Sequence, residues 1–293
     1  MGILVTHKTK VICQGILTPL GLSHTEQALA YGTRVVGGVA KDKTSDIVLG
    51  VPLFSTVKEA VEATHPDATV IFSSPEEAYD EIVQAIRAEI PLIVCPTERI
   101  PVQDMLKIKN LLKKSKSRLI GPASHGVLTV KECKLGIIPA HLFTEGSVGI
   151  MSRSSSIMYE AIQQIQQKGF GVSSCAVIGA YPILGTTFED IFDMFQKDKK
   201  TKAVLMIGEI GGNLEQKLAE HYKNIKKKKP LISYITGAHV PQNTYMGNIS
   251  AIVLDESETA SAKKEALRRA GSVIVESPAK MGDAVFKTLT SLG

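Results

Sequence analysis

The chain has few cysteines, no long apolar run and little clustering of charge of one sign, and each lack excludes a class of function. Its four cysteines, Cys13, Cys95, Cys133 and Cys175, stand far apart among 293 residues. That spacing supports neither a disulfide framework nor a metal-ligating set, and it fits a reducing compartment, so no metal is expected. No apolar stretch approaches the roughly 20 residues needed to cross a bilayer, and no cleavable signal or Arg-rich presequence precedes the first predicted strand. The expectation is an intracellular protein, in the cytoplasm or the mitochondrial matrix, with no membrane partner. The formal charge of +5 comes from 34 basic and 29 acidic residues spread along the chain. Such dispersal suits small anionic ligands better than a nucleic-acid surface. The one dense basic run, Lys226 to Lys229, ends at Pro230 and reads as a solvated helix end, where lysines are favoured.

What is present is an alternation of strands and helices. With 44% apolar residues over this length, about two domains with real cores are expected. Lys10–Gln14 reads as a buried strand running into Gly15-Ile16-Leu17-Thr18-Pro19-Leu20-Gly21, and helical spacing begins at Ser23. Such a unit can present backbone N–H groups to a phosphate. The dinucleotide fingerprint G-x-G-x-x-G is missing, so the loop alone identifies no ligand. Strands at residues 34–39, 68–72, 91–95 and 118–121 then alternate with helices at 56–64, 75–89 and 101–114. After a less periodic stretch, a second series places strands at 147–151, 173–178, 203–207, 231–236, 251–254 and 272–275, separated by helices. The pattern predicts an α/β protein with two parallel sheets and right-handed crossovers. The first domain covers 1–126, a linker 127–146, and a second domain with flavodoxin-like order 147–293.

Four loops at predicted strand ends in the second domain carry candidate chemistry, because rigid strands position such loops while their backbones stay free to meet a ligand. Ser152-Arg153-Ser154-Ser155-Ser156 leads into a helix and offers hydroxyl and backbone donors to an anion, or a serine cap. Gly179 to Thr187 opens another helix in the same way. Glu209 stands just past an apolar strand, where a carboxylate is a functional candidate or a cap. Met246-Gly247-Asn248-Ile249-Ser250 is the fourth.

These segments, read together, resemble the α subunit of succinyl-CoA synthetase (succinate–CoA ligase) over nearly the whole chain. The resemblance rests on Thr9 to Gly15, Glu26 to Gly32, Asp104-Met105-Leu106, Leu119 to Pro122, Glu132 to Ile137, Ser152-Arg153-Ser154, Tyr159-Glu160-Ala161 and Met206 to Gly212. It implies an N-terminal Rossmann-like domain that binds coenzyme A and a flavodoxin-like ligase domain. It also implies a β subunit that carries the Mg-nucleotide site, so nucleotide would reach this chain only through that partner. In the family mechanism an acyl phosphate passes its phosphoryl group to a histidine, which hands it to a nucleoside diphosphate. A neutral imidazole suits that role as a nucleophile near neutral pH. Glu209 matches the carboxylate that orients the histidine. Coenzyme contacts map onto Thr18, Pro19, Leu20, Lys43, Thr97 and Glu98, and the phosphate and substrate loops onto Ser154, Ser155, Tyr159 and Tyr181.

The resemblance breaks at the reacting position. Where the family has the histidine after Met-Gly, this chain has Asn248, whose amide nitrogen has a delocalised lone pair and is not nucleophilic. Ala123-Ser124-His125 replaces the family's Asn-Cys-Pro, and Gly179-Ala180-Tyr181-Pro182 replaces its Gly-Gly-Asp-Pro, which brings Tyr181 toward the phosphate site. Asp42 to Ser45 replaces a glycine-rich coenzyme loop, and Leu17-Thr18-Pro19-Leu20 replaces Thr-Gly-Ser-Gln. Lys43, Thr97, Glu98, Tyr159 and His141 still match. Three readings follow: an α-like subunit without phosphohistidine transfer, an active ligase subunit with a rerouted mechanism using His125, His239 or direct transfer, and a stand-alone coenzyme A or acyl-CoA binding protein.

Overall fold

The computed structural model describes residues 2–42, 45–241, 244 and 250–292. Leu4–Ala140 and Ile183–Thr186 form one compact unit, and residues 2–3, His141–Pro182 and 187–292 form the other.

In the first unit the chain runs β1 (Lys10–Gln14), α1 (Pro19–Ala30), β2 (Arg34–Val39), β3 (Ile47–Val48), β4 (Val51–Phe54), α2 (Val57–Thr64), β5 (Ala68–Ile71), α3 (Pro75–Arg87), β6 (Leu92–Val94), α4 (Val102–Leu112) and β7 (Arg118–Ile120). The sheet order β3-β4-β2-β1-β5-β6-β7 is parallel except for β3, which pairs antiparallel with β4. Chain order reverses on either side of β1, the doubly wound arrangement in which strand ends open a ligand crevice. Every residue of β5 and β6 is buried. Helices covering both faces account for those uninterrupted apolar runs. The antiparallel hairpin β8 (Gly126–Thr129) and β9 (Cys133–Gly136), a 3₁₀ turn at Ala140–Leu142 and the start of β10 occupy the stretch between the two periodic series.

The second unit carries β10 (Glu145–Ser152), α5 (Ser155–Gln167), β11 (Val172–Val177), α6 (Phe188–Lys197), β12 (Ala203–Glu209), α7 (Leu214–Lys223), β13 (Leu231–Thr236), α8 (Ala260–Arg269), β14 (Val273–Val275) and α9 (Met281–Thr290). Its strands lie in the order β14-β13-β12-β10-β11, all parallel. That is the flavodoxin order expected from the sequence. Phe188, Phe192 and Phe195 are fully buried on one face of α6. Their i, i+4, i+7 spacing makes the apolar stripe by which a surface helix docks.

Two expected elements differ. Helix α1 begins at Pro19, not at Ser23, because Thr18 caps it through Gly21 N–H at 3.0 Å and Pro19 takes the first helical position. A proline there has its φ already set and lacks only an N–H that would be unbonded anyway. The strand expected at 251–254 does not form, and the place beside β13 is taken by β14. Ala251 and Val253 are buried while Leu254 is exposed, so the alternation marks a segment packed on one side without a ladder. It passes close over Gly211, whose φ is +83° and where a Cβ would lie 2.1 Å from the Ser250 carbonyl oxygen. A side chain at that position would displace the segment.

Candidate functional site

In the second unit a buried ionic cluster forms where strand ends meet helix starts. Arg153 follows the last residue of β10, and Glu209 ends β12. Glu215 lies in the first turn of α7, and Lys263 comes from α8. The four side chains are 0–3% exposed. Arg153 Nη2 meets Glu209 Oε1 at 2.9 Å and its Nη1 meets Glu215 Oε1 at 3.3 Å. Lys263 Nζ pairs with Glu215 Oε2 and donates to the carbonyls of Glu209 at 2.9 Å and Gly211 at 2.7 Å. Glu215 Oε1 also accepts the Glu209 backbone N–H at 3.1 Å. Gly208 makes room for this, since a Cβ there would meet Glu215 Cγ at 2.6 Å.

Two cations face two carboxylates, the balance that buried charge requires. Burial alone would push the Glu215 carboxyl up, but the Arg153 and Lys263 charges hold it below the usual carboxylate value. Burial draws the Lys263 ammonium down, opposed by Glu215. The cluster thus fixes the turn from Glu209 to Gly211 through side chain and backbone together. Ser250 Oγ donates to Glu209 Oε1 at 2.9 Å, the oxygen that Arg153 also reaches. Ser250, the last residue of the stretch that the sequence marks as reactive, is thus tied to that carboxylate. Asn248 itself, like Lys43, lies outside the described residues.

The other expected residues fall nearby in the chain or apart from it. Ser154 is the N-cap of α5 but makes no side-chain cap bond; its backbone N–H donates to Ser152 Oγ at 3.0 Å. Ser155 opens the helix, and Tyr159 lies on its second turn, half-buried, with burial raising its phenol. Tyr181 is buried in the loop before α6, and burial raises its phenol too. Glu215 and Lys263 lie outside the expected site loops, while Arg153 and Ser250 stand within two of them without an assigned role. Arg153 falls inside the Ser152-Arg153-Ser154 match and was legible there. The two helical charges carry no such signal.

The first unit holds a cleft of about 460 Å³ at the ends of β1, β2, β4 and β5. Gly15, Thr18, Asp42, Thr56, Ser73 and Glu81 are among its lining residues. Thr18 thus lines the cleft as expected, but its hydroxyl is spent on the turn, donating to Gly15 O at 2.9 Å while capping α1. Pro19 and Leu20 are exposed on the first turn of α1 and do not line it. Thr97 supports the wall from behind, donating to Ser73 O at 2.8 Å, and Glu98 is exposed. Among the described residues no group of three or more His, Cys, Asp or Glu side chains could hold a metal ion. No described helix is long and apolar enough to cross a membrane.

The chain thus joins a doubly wound unit with an open crevice to a flavodoxin-like unit with a carboxylate at a strand end. Residues 6–99 match the CoA binding domain family, and residues 151–273 match the CoA-ligase family. The α subunit of ADP-forming succinate–CoA ligase from Aquifex aeolicus is 44% identical over 99% of this chain and 95% of its own length. The corresponding subunit from Staphylococcus epidermidis is 39% identical over 100% of the chain and 97% of its own length. The chain belongs to the succinate–CoA ligase α-subunit family. In known structures the fold recurs in ATP citrate lyase from Methanothrix soehngenii, with a TM-score of 0.89 at 23% identity over 99% of this chain. This chain spans 51% of that one. The dinucleotide-forming acetyl-coenzyme A synthetase of Ca. Korarchaeum cryptofilum gives 0.77 at 17% identity over 94% of this chain and 60% of that one.

Proposed function

We propose that this chain is an α-like subunit that keeps the ligase fold and docks a β subunit but does not run phosphohistidine transfer. The carrying observation is Asn248 in the sequence Met246-Gly247-Asn248, at the position where the resemblance puts the phosphate-bearing histidine. An amide nitrogen shares its lone pair with the carbonyl and cannot attack phosphorus. The bonding of Glu209 supports the same reading, because its Oε1 is engaged by both Arg153 and Ser250. Without a histidine the carboxylate serves as a structural anchor.

The chain then acts as a paralogous, structural or regulatory partner of a nucleotide-binding β subunit. The test mixes the chain with an ADP-forming β subunit. Co-elution in size-exclusion chromatography, with no ADP formed from ATP, succinate and coenzyme A, is the expected result. Sustained turnover above the β subunit alone sinks the reading and restores the rerouted ligase.

The open cleft of the first unit favours a second, compatible reading: coenzyme A binding survives the loss of phosphoryl transfer. The residues that could hold it are those of the cleft wall, with Thr18 shaping the turn and Thr97 bracing Ser73.

A further inference from the structure

The wall of the first unit's cleft is acidic. Glu77 and Glu81 lie one turn apart on α3, Asp42 follows β2, and Lys41 is the single cation among the described lining residues. Lys41 already pairs with Glu77 at 3.8 Å. Glu81 is the deepest of the acids. Its Oε2 accepts the Ser73 hydroxyl at 2.6 Å, and Ser73 is in turn held by Thr97 through its carbonyl. Burial pushes the Glu81 carboxyl up to about 7, and the neighbouring Glu77 charge adds to this, while the Ser73 hydroxyl and Lys41 act the other way. Behind it, Cys95 at the end of β6 is pushed up to about 12, chiefly by burial, with Glu81 contributing. Its thiol therefore offers no competing charge.

We propose that Glu81 is a specificity-determining residue of this cleft, which admits a phosphate-bearing coenzyme when Glu81 carries its proton and repels it when Glu81 is ionised. This rests on the coenzyme reading given above. The reason is electrostatic: a carboxylate in a partly buried wall acts on a polyanion through a lower dielectric than water, whereas the protonated acid adds no charge and can donate a hydrogen bond. Above its titration, binding therefore takes up about one proton, and well below it almost none, because the protonated fraction of the cleft is the competent one.

The experiment is calorimetric titration of the full chain with coenzyme A and with dephospho-coenzyme A, at about pH 6 and about pH 8, in two buffers of different ionisation enthalpy. The second ligand removes the phosphomonoester, which itself titrates near about pH 6. The wild type should bind both ligands about tenfold more weakly at the higher pH, with uptake of about one proton there and of about a tenth of a proton at the lower pH, as expected for a competent fraction set by a group near 7. Glu81→Gln should bind dephospho-coenzyme A equally at both. Ser73→Ala removes a bond that favours the carboxylate, so it should move the fall in affinity to higher pH. Wild type and Glu81→Gln with the same pH profile overturns the proposal, as does an unshifted Ser73→Ala profile. Binding that ignores pH overturns this inference and leaves the coenzyme reading standing. No binding of either ligand by any of the proteins overturns both.

Discussion

Ser250 donates its hydroxyl to Glu209 Oε1 at 2.9 Å, the same oxygen that Arg153 Nη2 reaches at 2.9 Å. The resemblance implies that this carboxylate orients a histidine, so a histidine restored at position 248 is expected to compete with Ser250 for it. The Asn248→His variant is expected to take up little labelled phosphate in the presence of a β subunit. Adding Ser250→Ala frees the carboxylate from one hydrogen bond worth about 1 kcal/mol, which corresponds to roughly fivefold more labelling. Equal labelling of the single and double variants would show that Ser250 does not hold the carboxylate back.

Lys263 is the second quantity to measure. Its ammonium is fully buried and holds Glu215 together with the carbonyls of Glu209 and Gly211. Lys263→Ala leaves one buried cation, Arg153, for two buried carboxylates and should cost about 3–5 kcal/mol in urea denaturation. Glu215 also sets an acid limit. Its folded value lies below the unfolded 4.5, so its stabilisation is present above about pH 4.5 and lost as pH falls through the folded value. A loss below about 1 kcal/mol for Lys263→Ala would mean that the cluster is not the brace of the site.

Glu81 gives the opposite pH dependence. Its folded value is raised from 4.5 to about 7, so between those values the folded chain binds a proton that the unfolded chain has released. Stability must therefore fall as pH rises through this window. Glu81→Gln removes the penalty and should be the more stable protein at pH 8, by at most about 3 kcal/mol, with the gap closing toward pH 4.5. Thermal unfolding of both proteins across that range checks the sign. A wild type that gains stability relative to the variant as pH rises would contradict the placement of Glu81 in a desolvated wall.

Much of the fold was legible because its physics is local. Continuous apolar runs marked the buried parallel strands, and their alternation with helices implied two α/β units and the flavodoxin-like order of the second. Two elements misled for equally physical reasons. Pro19 looked like a loop residue when it is the first helical residue of α1, and residues 251–254 read as a strand although the place beside β13 is taken by β14. Glu209 was legible as a carboxylate at a strand end. Its partners were not, because Arg153 and Glu215 are 62 residues apart and Lys263 and Glu215 are 48 apart, and only folding brings them together. Ser250 was quoted as a loop residue, yet its bond to Glu209 depends on the tertiary fold that also brings its carbonyl over Gly211.

The most direct test of the central claim is chemical. The wild-type chain is incubated with γ-labelled ATP and an ADP-forming β subunit, and the α band is assayed for phosphate that is lost in acid and stable in base. The absence of a histidine at position 248 predicts no such phosphate on the chain. Stoichiometric acid-labile, base-stable labelling would contradict it and place the phosphoryl carrier on another histidine.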